Sequence, residues 1–142
     1  MLNLFKRKPQ HPLTKAFEGA TLSQKLSVIN FLQLVATCDN QYAPHPEEGK
    51  LTTKFLEVFN LTVQQVVAHG NEKNRTFQND LNALSLEQKE MLVIMAYAMA
   101  STDGWANEVE LTYLNTSFEA IGIGENELMK IIIKYNELSQ NF

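Results

Sequence analysis

The sequence matches itself at a spacing of 64 residues, and this internal repeat constrains the fold more than any other feature. Residues 21–25 (TLSQK) recur as residues 85–89 (SLEQK). Beyond the next pair of aspartates the spacing falls to 62, because the first copy is two residues longer there. The further pairs in register are Ala36 with Ala100, Asp39 with Asp103, Glu48 with Glu110, Glu57 with Glu119, and Asn60 with Gly122. We therefore predict two equivalent units, at about 21–69 and about 85–138.

Each unit begins with the pattern of a helix start. Thr21 and Ser85 are each followed three residues later by a glutamine, which is the capping-box arrangement. The apolar residues that come next recur at helical spacing. We expect these first helices to end near Cys38 and near Ser101.

Second helices are expected to start near Pro46 and Glu108, and a third helix closes each unit. Proline suits the first position of a helix, because its missing N–H has no helical partner there. A short helix around Phe77 and Leu81 is expected between the units. Each unit is too small to bury its own apolar stripes, and packing the two around an approximate twofold axis would bury both. The predicted fold is all-α: one compact bundle of about seven helices from two pseudo-symmetric repeats.

The longest charge-free apolar run, from Met91 to Ala100, has ten residues. A helix needs about 20 residues to span a bilayer, so this segment is predicted to be a central helix that is buried on most sides. The chain has one cysteine, Cys38, which excludes an internal disulfide. We expect a cytoplasmic protein with a single domain over residues 16–142.

Charge is distributed unevenly along the chain. Residues 1–15 carry four basic side chains and no acid, which leaves 8 of the 12 basic residues against all 16 acidic ones. An acidic body repels phosphate backbones, so no nucleic-acid binding is expected. The first 15 residues are predicted to be a disordered basic tail. The alternative is a weak membrane-surface contact through residues 1–8, where Leu2, Leu4 and Phe5 precede three basic residues.

Two acidic loops are the most specific local feature. Residues 103–110 read Asp-Gly-Trp-Ala-Asn-Glu-Val-Glu, and residues 39–48 hold the equivalent place in the first unit. Each segment joins a predicted buried helix to a helix that begins with acids. A helix, an Asp-Gly type loop and a second helix beginning with acids, present in two copies, resemble the tellurite-resistance TerB-like domain over roughly Leu22 to Leu138.

The resemblance implies an all-helical fold with internal pseudo-symmetry, a cytoplasmic location and a stress-response setting. It also implies that acidic residues hold a divalent metal. Ca²⁺ and Mg²⁺ are the expected ions, because the candidate ligands are all oxygen. Position by position, the candidate ligands are Asp103, Glu108 and Glu110 in the second unit and Asp39, Glu47 and Glu48 in the first. The first unit departs from the pattern, with Asn40 where the second has Gly104.

A purely structural role explains the same acids. Asn107 and Glu110 have capping-box spacing, and Glu47 and Glu108 sit in first helical turns, where the helix dipole favours negative charge. Capping alone and capping combined with weak cation binding therefore both stay open.

Trp105 and Tyr42 hold comparable places in the two loops. Each either folds back over the core or anchors a protein partner. The sequence has no phosphate-binding glycine loop, no nucleophile elbow and no pair of histidines at metal-binding spacing. We therefore expect a non-catalytic binding or scaffold module that presents an acidic loop surface to a protein partner. The alternatives are a peripheral membrane adaptor and an enzyme that uses paired carboxylates.

Overall fold

The computed structural model describes residues 10–38, 46–72, 77–102, 107–140 and 142. Over these residues the chain forms α-helices and no strand. In chain order the helices are α1 (Pro12–Ala16), α2 (Leu22–Thr37), α3 (Pro46–Phe59), α4 (Val63–Gly70), α5 (Phe77–Asn82), α6 (Leu86–Ala100), α7 (Glu108–Glu119), α8 (Glu125–Lys134) and α9 (Asn136–Gln140).

The all-α prediction is confirmed for the described ranges, and more helices are present than expected. α2 to α8 correspond to the seven expected helices. α1 and α9, of five residues each, are additional. The last predicted helix was expected to run on through Leu138, but it ends before Tyr135, whose backbone leaves the helical conformation. The chain turns there, and α9 packs against α6.

α6 forms the centre of the bundle. The consecutive residues Met91 to Ala96 are all buried, so every side of the helix is covered. Its neighbours are α1, α2, α3, α7, α8 and α9. The predicted central helix is thus confirmed. None of the described helices combines the length and the apolar character needed to cross a membrane.

α1 shows that residue 15 is too late a boundary for the predicted tail. Leu13 is fully buried, and the His11 Nδ1 atom accepts the N–H of Leu13 at 3.1 Å to cap the helix. The Thr14 hydroxyl donates to the carbonyl of Val58 in α3 at 3.2 Å. Removing Leu13 from water favours order over fraying, so residues 12–15 are not a disordered tail. Residues 1–9, which include the segment assigned to membrane contact, lie outside the described residues.

The helix starts of the two predicted units keep the spacing found in the sequence. α2 and α6 begin 64 residues apart and α3 and α7 begin 62 apart, as do α4 and α8. The capping boxes at Thr21 and Ser85 are confirmed, because each hydroxyl accepts the N–H of the glutamine three residues on, at 3.1 Å. The glutamine side chains accept the N–H of Thr21 at 2.8 Å and of Ser85 at 2.9 Å. Local capping chemistry therefore sets these helix starts.

α3 and α7 also end in the same way. Asn60 and Gly122, which follow their last turns, have positive φ angles of 55° and 90°. In each case the next residue donates its N–H to the carbonyl five residues earlier, at 2.9 Å. This is the hydrogen bond of a Schellman helix end, which places an asparagine or glycine in the left-handed conformation.

Candidate functional site

Four of the eight predicted site residues lie outside the described residues: Asp39, Tyr42, Asp103 and Trp105. The other four stand at the starts of α3 and α7. The structure separates them into two kinds, buried acids at the third helical position and exposed acids before it.

Glu110 and Glu48 are the buried acids. Each is the third residue of its helix, and each is only 5% exposed. The Asn107 amide oxygen accepts the N–H of Glu110 at 2.8 Å, and the Glu110 carboxylate accepts the N–H of Asn107 at 3.1 Å. The predicted capping box is therefore confirmed. One oxygen of Glu110 is engaged in holding the helix start.

Glu47 and Glu108 are the exposed acids. The Glu47 carboxylate pairs with the Lys50 ammonium at 3.0 Å, within the same turn of α3. Ion pairs as exposed as this one contribute little to stability. In the part of the chain that the structure describes, no three His, Cys, Asp or Glu side chains gather in an arrangement that would hold a metal ion.

A buried set of polar side chains joins α2, α4 and α5, and the sequence interpretation did not include it. We call it the polar cluster, and its members are Ser23, Ser27, Asn30, His69 and Asp80. The first three lie on α2 at positions i, i+4 and i+7, which puts them on one face of the helix. α4 contributes His69, and α5 contributes Asp80.

Asp80 binds both serines of the polar cluster. Its Oδ2 atom accepts the hydroxyl of Ser23 at 2.7 Å and that of Ser27 at 2.6 Å. Hydrogen bonds to a carboxylate are stronger than those between neutral groups. Because Ser27 is fully buried, its hydroxyl needs this acceptor. The two bonds attach the short helix α5 to α2.

Asn30 sets the protonation pattern of His69. The Asn30 amide nitrogen donates to the backbone carbonyls of Leu26 and Val66, at 3.1 Å each, which fixes its orientation. The same nitrogen lies 3.2 Å from the Nδ1 atom of His69. Since the amide nitrogen only donates, Nδ1 accepts, and the ring hydrogen of the neutral imidazole is on Nε2. Nε2 faces Ser27 Oγ at 3.4 Å.

The polar cluster has serine, histidine and aspartate but not the arrangement of a nucleophilic triad. In a triad the serine hydroxyl donates to histidine and the aspartate binds the opposite ring nitrogen. Here the Ser27 hydroxyl donates to Asp80, and Asp80 lies on the Nε2 side of His69, at 3.9 Å. The Phe77 ring stacks on the imidazole, with centroids 5.4 Å apart. The cluster therefore joins three helices and gives a substrate no access to Ser27.

Gly70, the last residue of α4, has no room for a side chain. A Cβ atom there would lie 2.9 Å from the Asn30 Oδ1 atom, and two backbone carbonyls hold that amide in place. We expect Gly70→Ala to lower the free energy of unfolding by about 1–3 kcal/mol. In α3, a Cβ on Gly49 would meet no atom within 4 Å. Gly49→Ala should therefore raise the free energy of unfolding by about 0.5–1 kcal/mol.

Urea unfolding followed by far-UV circular dichroism measures both glycine variants. The two changes are expected to have opposite signs. A Gly70→Ala protein as stable as the Gly49→Ala protein would contradict the close contact with Asn30.

The chain was compared with protein-family models, curated proteins and solved structures, and no match was found in any of the three. The site is therefore interpreted from its own residues.

Proposed function

We propose that this chain is a non-catalytic, TerB-like binding or scaffold module that presents the acidic starts of α3 and α7 to a protein partner. The observation that carries the proposal is the pairing of an exposed acid with a buried one at each helix start. Glu48 and Glu110 are buried in the fold, while Glu47 and Glu108 face solvent within two residues of them. The exposed carboxylates thus stand on rigid helix ends, which reduces the entropy lost on binding.

The charge balance supports a basic partner. Outside residues 1–15 the chain has twice as many acidic as basic residues. Such a surface attracts positively charged groups and raises the rate at which they associate. A cytoplasmic location and a stress-response role are parts of the same proposal, and they rest on the TerB-like resemblance.

We interpret the two helix starts as equivalent corners of a duplicated unit. The equal spacing of three helix starts and the same helix end at Asn60 and Gly122 support this interpretation. Two equivalent acidic corners on one bundle would let a partner with repeated basic segments bind at both corners. Binding at both would strengthen a weak contact at each one.

The proposal is tested by recovering partners from the native cell with matched charge variants. The test variant is Glu47→Lys with Glu108→Lys. The control is Glu57→Lys with Glu119→Lys, an exposed pair that occupies equivalent positions farther along α3 and α7. Both variants change the net charge equally. We expect the wild type and the control to recover the same partner and the test variant to lose at least about tenfold, or about 1.4 kcal/mol, of its binding.

Circular dichroism establishes first that both double variants are folded. Equal recovery of the partner by all three proteins would contradict binding through the acidic helix starts.

Weak binding of a divalent cation is the second part of the proposal. Asp103 would supply a carboxylate beside Glu108, while Glu110 remains in its capping box. Titration with Ca²⁺ and with Mg²⁺, followed by Trp105 fluorescence and by thermal unfolding, tests this part. We expect a saturable change in the millimolar range that Asp103→Ala abolishes. No change in the wild type at millimolar metal would remove the cation from the account and leave partner binding untouched.

A further inference from the structure

Several exposed apolar side chains lie on the described surface, and their surroundings differ. On α8, Met129 and Ile133 are exposed, but two exposed lysines, Lys130 and Lys134, stand among them. α4 is different because, alone among the helices of the described chain, it carries no Lys, Arg, Asp or Glu. Its Val63 and Val67 side chains are 59% and 54% exposed.

A groove runs beside these valines, between α2, α3 and α4. Its volume is about 350 Å³, and none of its lining residues is charged. Apolar side chains from all three helices line it, Ile29, Leu56, Val63, Val66 and Val67. A hydrogen bond from Gln33 to Thr52, at 2.8 Å, crosses between α2 and α3 in this region. We call this surface, together with the exposed side of α4, the α4 face.

Side-chain size explains why the groove is open. At the spacing of 62 residues, Thr52 and Val66 correspond to Leu114 and Leu128, both of which are buried in the second half. Leu56 likewise corresponds to the buried Phe118. α7 packs directly on α8, whereas α3 and α4 are held mainly through α2. The α4 face therefore lacks the apolar volume that larger side chains supply in the second half.

We propose that the α4 face binds the α4 face of a second copy of this chain, as a twofold dimer. Charge identifies the occupant: the chain has a net charge of −4, so two copies repel each other wherever charged surfaces meet. The lining of the α4 groove and α4 itself bring no such charges together. Val63 and Val67 are one helical turn apart, so they enter the partner's groove side by side.

The twofold arrangement follows from the position of these groups. The valines and the groove are adjacent on one molecule, so a single twofold axis lets each copy fill the other's groove. Depletion of charged residues is also typical of the central part of protein interfaces. The inference does not use the acidic helix starts, and it stands or falls separately from the proposed function.

Sedimentation velocity of the full chain, from micromolar to millimolar concentration, tests the dimer. We expect the mass to rise from that of one chain to that of two and to stop there. Val67→Lys, which places two like charges against each other across the twofold axis, should weaken dimerisation at least tenfold. The control is Ile133→Lys, an equally apolar and exposed position on α8, which should change the dissociation constant less than twofold.

Val63→Lys repeats the test at the other valine, and thermal unfolding verifies that each variant is folded. Three results would overturn the proposal. The first is a wild-type chain that stays monomeric at millimolar concentration. The second is a dimer that Ile133→Lys disrupts and the valine variants do not, which would assign the interface to α8. The third is growth beyond two copies, which excludes a closed twofold contact.

Discussion

Leu92→Ala is expected to lower the free energy of unfolding by about 2–5 kcal/mol. Leu92 lies in the middle of α6 and is fully buried, so its removal leaves a cavity where helices from both halves of the bundle meet. Leu86 provides a matched control on the same helix, because it stands at the first position and is 72% exposed. Leu86→Ala should change stability by less than about 0.5 kcal/mol.

Urea unfolding followed by far-UV circular dichroism measures both leucine variants. The account also requires a single transition in each case, because α6 touches helices of both halves. Equal effects of the two substitutions would contradict the central position of α6.

Asp80→Ala is expected to lower the free energy of unfolding by about 2–4 kcal/mol, which is a large effect for one surface-proximal acid. The substitution removes the acceptor of two short hydrogen bonds and leaves the buried Ser27 hydroxyl without its carboxylate. Glu72→Ala removes an exposed acid close in sequence to His69 and should change stability by less than about 0.5 kcal/mol.

A double-mutant cycle assigns the Asp80 effect to its hydrogen bond. Once Asp80 is alanine, Ser27→Ala should be much less costly than in the wild type, with a coupling of about 1–2 kcal/mol. Strictly additive effects of the two substitutions would show that Ser27 and Asp80 do not stabilise each other.

The helix positions were predictable because local chemistry sets them. Thr21 and Ser85 begin helices by capping boxes whose two partners are only three residues apart, and the sequence shows both partners. The uniform apolar character of α6 likewise predicts burial on every side. α1 was missed because one buried leucine, Leu13, has no periodic pattern around it. The break at Tyr135 was missed because it depends on how the following segment packs against α6.

The polar cluster could not be predicted, because its contacts join residues distant in sequence. Ser27 meets Asp80 across 53 residues and His69 across 42. One signal was present: Ser23, Ser27 and Asn30 form a polar stripe on an otherwise apolar helix. The stripe indicates a buried polar contact and does not identify the partners.

The acidic helix starts were predicted as groups, and their division into buried and exposed members was not. Both kinds suit a first helical turn electrostatically, so composition does not distinguish Glu47 from Glu48. The rotation of α3 and α7 about their axes decides which carboxylate faces the core. This rotation depends on tertiary packing.

The central claim is that both halves share one core around α6 and so hold the two acidic helix starts on a single rigid body. Native-state hydrogen exchange of the full chain, measured at increasing low concentrations of denaturant, tests it most directly. The account predicts that the slowest amides of α2 and those of α6 exchange with the same free energy and the same denaturant dependence, through one global opening. Separate opening of the α2 half, at lower free energy and with α6 still protected, would contradict it.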